Sequence, residues 1–129
     1  MTGPVRSALV ARLADVDRAV EVGIGRETAV AGALAARGVA VTATDIRPRS
    51  TPPGVAFAVD DVTAPTRSLY AGADVVYALR LPPELHRPTA ALARDVGAEL
   101  LFTTLGGDPP AIPVDRETHP GGTLFVATQ

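Results

Sequence analysis

The chain has 129 residues, with 47% hydrophobic and 20% charged residues and a formal net charge of −2. This is the length of one domain with a core-forming composition. It excludes a disordered chain and argues against a broad electrostatic grip on nucleic acid. The 12 basic residues are all arginine and cysteine is absent. This rules out lysine Schiff-base and Walker-type lysine chemistry, thiol catalysis, disulfides and cysteine zinc sites. The lysine-free, alanine-rich bias suggests a GC-rich or salt-adapted genome.

Residues 4–15 read as a short amphipathic helix, with Val5, Leu9, Leu13 and Val16 at helical spacing. The charges scattered through this segment argue against a signal peptide. No apolar run is long enough for a membrane span, so the expected location is cytoplasmic. Residues 18–23 read as a strand ending in glycine, and Thr28 to Arg37 as a helix that Gly38 ends in a left-handed cap. Val39 to Thr44 is a strand closed by Asp45. The following IRPRSTPPG is too rich in proline for a regular helix. Val55 to Val59 is a short strand before Asp60-Asp61, and residues 65–71 hold at most a turn or two of helix. Asp74 to Leu79 is a strand, Pro88 to Val96 a helix, and Ala98 to Thr104 a strand. A stretch rich in proline runs on to Gly122, and Thr123 to Thr128 is the last strand.

Strand–helix–strand alternation with near-continuous apolar strands implies a parallel sheet covered on both faces. The expected fold is α/β: one three-layer, Rossmann-like, doubly wound domain over residues 1–129, with strand order 3-2-1-4-5. Pro109, Pro110, Pro113 and Pro120 leave no helix for a parallel crossover after the fifth strand. The last strand is therefore expected to run antiparallel at the strand-five edge.

The strongest local feature is Glu21-Val22-Gly23-Ile24-Gly25, which leaves a strand and enters a helix. Gly23 permits a tight turn, and Gly25 lets backbone approach a ligand. Asp45, at the end of the second strand, is placed to accept ribose hydroxyls. The competing reading is a plain strand–helix turn with Asp45 capping a loop. A dinucleotide fingerprint usually carries an apolar residue where Glu21 stands. Glu27, close to the helix start, is expected to repel a pyrophosphate, which counts against NAD.

The segment from Tyr77 through Leu79, Arg80, Leu81-Pro82-Pro83 and Glu84 to His86 follows the fourth strand, where open α/β sheets place ligand crevices. Arg80 could bind a carboxylate or phosphate, or pair on the surface. Glu84 and His86 could serve in acid–base work, or decorate a helix start. No catalytic residue stands out. His119 reads as a loop residue, and two distant histidines give no metal-ligand spacing. Thr103 and Asp108 end at the same sheet edge.

The acidic-x-Gly-x-Gly strand end resembles motif I of class I S-adenosylmethionine-dependent methyltransferases. That resemblance implies that Glu21 orders the glycine loop near the methionine moiety, with Gly23 and Gly25 in close approach. It also implies Asp45 on the ribose, Asp60 or Asp61 at the adenine edge, and Leu79 and Arg80 in the cofactor site. Two departures stand out: Glu27 or Thr28 replaces a third glycine, and Leu81-Pro82-Pro83-Glu84 lacks the acceptor and the aromatic of the amino-methyltransferase motif. VEVGIGRETAVAGALAARG, TATDI, DDVTAP, YALRLPPELHRP and LLFTTLGGD together resemble a small uncharacterised archaeal family of the UPF series, Rossmann-like and related in fold to those methyltransferases. A non-catalytic ligand-binding module and an NAD-type dinucleotide domain stay open beside a methyltransferase. A homodimer through the first helix or the sheet edge stays open too.

Overall fold

The computed structural model describes residues 3–128. Helix α1 (Gly3–Leu13) leads into β1 (Arg18–Val22), α2 (Ala29–Ala36), β2 (Ala40–Asp45) and β3 (Val55–Val59). A 3-10 turn at Arg67–Leu69 precedes β4 (Val75–Ala78). A second 3-10 turn, Pro83–Leu85, runs directly into α3 (His86–Val96), and β5 (Glu99–Phe102), β6 (Val114–His119) and β7 (Gly122–Ala127) follow. All seven strands form one sheet of order β3-β2-β1-β4-β5-β7-β6. The first five are parallel, and β7 lies antiparallel between β5 and β6. The expected 3-2-1-4-5 order and the antiparallel neighbour of the fifth strand are both present.

Alternate strand residues supply the two faces of the sheet. Ala19, Val41, Tyr77 and Leu101 join Leu9, Leu13 and Leu34 under α1 and α2. Val20, Val76, Leu100 and Phe102 join Leu92, Ala93 and Tyr70 on the face of α3. Helix α1 packs on α2, β6 and β7, so its apolar stripe is covered by its own chain. No helix among the described residues is long and apolar enough to cross a membrane.

Element ends shift from the sequence reading by a residue or two, and one strand is added. The segment read as irregular up to Gly122 contains β6, and His119 closes that strand instead of lying in a loop. Its sequence, VDRETH, is polar because it is an edge strand with half its side chains in water, where charges also discourage pairing with other chains. Pro113 and Pro120 fall just outside the paired residues. Arg116, opposite Phe125 in the register, places its guanidinium 5.5 Å from the ring centroid. Helix α3 starts before Pro88, because the preceding 3-10 turn hands the chain on at His86.

Candidate functional site

Order in the sheet reverses between β1 and β4, which opens a crevice beyond their carboxyl ends. The chain leaves β1 through Gly23 (φ 69°) and Gly25 (φ 56°). A Cβ at Gly23 would meet nothing within 4 Å, and one at Gly25 only the Gly23 carbonyl at 4.0 Å. Glycine is required there by backbone conformation, not by space. The amides of Gly23 and Ile24 both donate to the Thr44 carbonyl, at 2.9 and 3.1 Å. The Gly25 amide donates to Asp45 Oδ2 at 2.8 Å. Asp45 Oδ1 accepts from the Arg47 amide at 3.0 Å and faces Arg49 Nε at 3.5 Å. The end of β2 thus fixes the shape of the loop after β1.

The loop borders a cleft of about 600 Å³ that Leu79 and Arg80 close from the β4 side, with Arg6, Arg26, Glu27 and Leu105 around it. Glu27 stands between two guanidinium groups, with Arg6 Nη2 3.5 Å from Oε1 and Arg80 Nη2 3.5 Å from Oε2. Its charge is compensated, so the expected repulsion of an anion by Glu27 loses its force. Arg80 has φ 51°, the only positive value among described non-glycine residues. Such a backbone costs on the order of 1 kcal/mol, and such strain clusters at functional sites. Its amide donates to Thr103 Oγ1 at 2.7 Å, which ties the end of β4 to β5.

Glu21 lies on β1 opposite Tyr77 of β4 and is fully buried. The Tyr77 hydroxyl is the polar group beside it, and neither side chain has a well-formed hydrogen bond to any other group. Burial pushes the Glu21 carboxyl up to about 8; the Tyr77 hydroxyl draws it down, and the charge of Glu27 adds to the rise. Tyr77 is itself held well above the usual phenol range by burial and by Glu21. Glu21 stands at the foot of the glycine loop, outside the cleft wall.

Asp60 follows β3, and its amide donates to the Asp45 carbonyl at 3.0 Å. Its carboxylate accepts from the Tyr70 hydroxyl at 2.6 Å and from the Thr66 amide at 3.1 Å. Asp61 turns the other way, into the Thr63 amide and hydroxyl at 2.9 and 2.7 Å. These Thr63 contacts hold the exposed Asp61 carboxyl below its ordinary range. Burial, then the bond to Asp60, keep the Tyr70 hydroxyl protonated well above its ordinary range. Tyr70→Phe should cost roughly 1–2 kcal/mol, as expected for a part-buried hydrogen bond to a carboxylate. A denaturant melt checks this, and no change would show that the Asp60 carboxylate is satisfied without it.

The Glu84 side chain is exposed on its 3-10 turn. His86 is fully buried, with Nε2 2.9 Å from the Leu81 carbonyl and Nδ1 accepting the Ala111 amide at 2.9 Å. Both ring nitrogens are engaged, and the pattern places the proton on Nε2. His86 is thus a stitch between the end of β4 and the proline-rich segment, away from the cleft. Of the expected site residues, Gly23, Gly25, Leu79 and Arg80 line the cleft. Glu21 and Asp45 support its loop, while Asp60 and Asp61 sit beside Asp45 with their carboxylates engaged elsewhere. Arg6 and Arg26 line the cleft without having been singled out. Arg26, next to Gly25, was within reach of a sequence argument, whereas Arg6 depends on how α1 folds back.

The fold is that of solved methyltransferases. A TehB-like SAM-dependent methyltransferase from Corynebacterium glutamicum superposes with a TM-score of 0.68 at 14% identity, covering 97% of this chain and 86% of that one. An RNA methyltransferase from Salinibacter ruber, in complex with S-adenosyl-L-homocysteine, gives 0.64 at 18% identity over 98% and 91%. A UPF0146 protein of Halobacterium salinarum is 54% identical over 128 residues, 98% of both chains. The profile of the uncharacterised protein family UPF0146 matches residues 5–129. The chain belongs to that family.

Proposed function

We propose that this protein binds S-adenosylmethionine in the cleft between β1 and β4 and acts as a methyltransferase. The observation that carries this reading is Glu21, a carboxyl buried with only the Tyr77 hydroxyl beside it, at the foot of a glycine loop that borders a cleft. A buried acid is costly to the fold, and an apolar residue would complete the core without that cost. Its charged form gains where a cation comes to rest nearby, and S-adenosylmethionine carries both a sulfonium and an ammonium. When bound, it supplies a methyl group already activated for displacement. What this chain contributes is position. Gly23 and Gly25 let the backbone approach, and Arg6 and Arg26 offer guanidinium groups to the ligand carboxylate. Asp45, whose two oxygens keep lone pairs beyond their present partners, takes the ribose. Asp60 lies one backbone bond away, toward the adenine.

A second reading has an observation of its own. Arg6, Arg26 and Arg80 surround the glycine loop, and Glu27 forms ion pairs with two of them. Such a rim also suits a pyrophosphate, as in an NAD-type domain. Titration calorimetry with S-adenosylmethionine, S-adenosylhomocysteine and NADH, at low and high salt, separates the two. Micromolar binding of the S-adenosyl ligands alone is expected. Binding of NADH alone would select the dinucleotide reading, and silence from all three would leave the glycine loop a structural turn.

A further inference from the structure

Beside the cleft lies a second cavity of about 640 Å³, within the size range of small-molecule sites. Thr103 and Thr104 after β5, the Gly106–Asp108 loop, and Gly122 and Phe125 of β7 form its walls. Arg80 completes it, and among the described residues Arg80 alone lines both this cavity and the cleft. Its backbone is locked in the left-handed region by the bond to Thr103, so the guanidinium stem starts from a fixed point on the boundary.

We infer that this cavity is the acceptor site of the methyl transfer proposed above, and that the acceptor is a small carboxylic acid bound as its carboxylate by Arg80. The inference rests on that reading of the cleft. Three features support it. A molecule here abuts the cleft directly, as an acceptor must. The cavity has one cation on its wall, Arg80, which also faces Glu27 at 3.5 Å across the boundary, against one exposed carboxylate, Asp108, on a loop. A sulfonium in the cleft would be repelled by Arg80, and an anion held between the two cations removes that repulsion.

The third feature is the proton balance. An alcohol or amine acceptor must lose a proton; no histidine lines the cavity, His86 has both ring nitrogens engaged elsewhere, and the one carboxylate on the wall, Asp108, sits exposed on a loop. A carboxylate has no proton to lose. One of its oxygens forms the O–CH3 bond with its own lone pair as the S–CH3 bond breaks. The bonding pair stays on sulfur, the sulfonium and carboxylate charges cancel, and the products are a methyl ester and a neutral thioether.

The test uses the full chain saturated with S-adenosylhomocysteine, observed by backbone amide NMR. Acetate, benzoate, malonate and succinate are titrated against their matched primary amides and inorganic phosphate. At least one carboxylate should move the amides of Thr104, Gly106, Gly107 and Gly122, while its amide and phosphate do not. Arg80→Gln, with its fold checked in the same spectra, should weaken that carboxylate at least about tenfold. Asp108→Asn should tighten it about twofold by removing a like charge. Turnover with methyl-labelled S-adenosylmethionine should give a base-labile product that releases labelled methanol. Equal shifts from amides or phosphate, no shifts from any carboxylate, or weakening by Asp108→Asn would overturn the acceptor assignment while leaving the cofactor reading intact. Failure of S-adenosylhomocysteine to bind in the first titration would instead remove the cofactor reading, and the acceptor site with it.

Discussion

Replacing Asp45 by alanine is expected to loosen the glycine loop and to weaken S-adenosylmethionine binding at least about tenfold, or roughly 1.4 kcal/mol. The carboxylate is 7% exposed and accepts the Gly25 amide at 2.8 Å and the Arg47 amide at 3.0 Å. Hydrogen bonds to a charged group contribute about 1.5–3 kcal/mol each, and losing the acceptor leaves their donors unpaired. A stability loss of roughly 3–6 kcal/mol should therefore accompany the loss of affinity. Asp45→Asn keeps one oxygen but turns an amide nitrogen toward one of the two donors, so it should fall between alanine and the native residue. Calorimetry and denaturant melts on the same three proteins check both effects. Unchanged affinity would refute the ribose assignment, and unchanged stability would refute the clamp on the loop.

The contrast between Asp45 and its neighbours shows how far the sequence can be read. The five parallel strands were legible because strands buried on both faces must be nearly continuous in apolar residues, as in Val75–Ala78 and Glu99–Phe102. The glycine loop and the residues after β4 were legible as one site because strand order alone brings them to the same crevice. Strand β6 was not legible, because a half-exposed edge strand has no apolar run to announce it. The orientation of Asp60 and Asp61 was also hidden. It depends on Thr63, Thr66 and Tyr70, whose positions follow from the turn after β3 and not from the spacing of acids. Glu27 was misjudged for the same reason. Its partners come from α1 and from the end of β4, and only the folded chain brings Arg6 and Arg80 to it.

Glu21→Gln should make the protein more stable at alkaline pH and worse at holding its ligand. In the folded chain the carboxyl titrates near 8, against an ordinary value of 4.5. Between these values the folded state holds a proton that the unfolded chain has released, so stability falls as pH rises. The contribution is fully present below the lower value and is lost as pH rises through the upper one. Each unit of separation is worth about 1.4 kcal/mol, so the loss approaches roughly 5 kcal/mol by about pH 9. Glutamine has nearly the same shape and no proton to lose. Its melts should match the native protein near pH 5 and exceed it by several kcal/mol near pH 9. For binding the sign reverses: glutamine cannot become the anion that a nearby sulfonium or ammonium would favour. S-adenosylmethionine affinity should therefore drop about tenfold at neutral pH, with less change for S-adenosylhomocysteine, which lacks the sulfonium. Higher stability with lost affinity is the pattern of a residue kept at the fold's expense for its ligand. Higher stability with unchanged affinity for both ligands would remove Glu21 from the site and the main support for the methyltransferase reading with it.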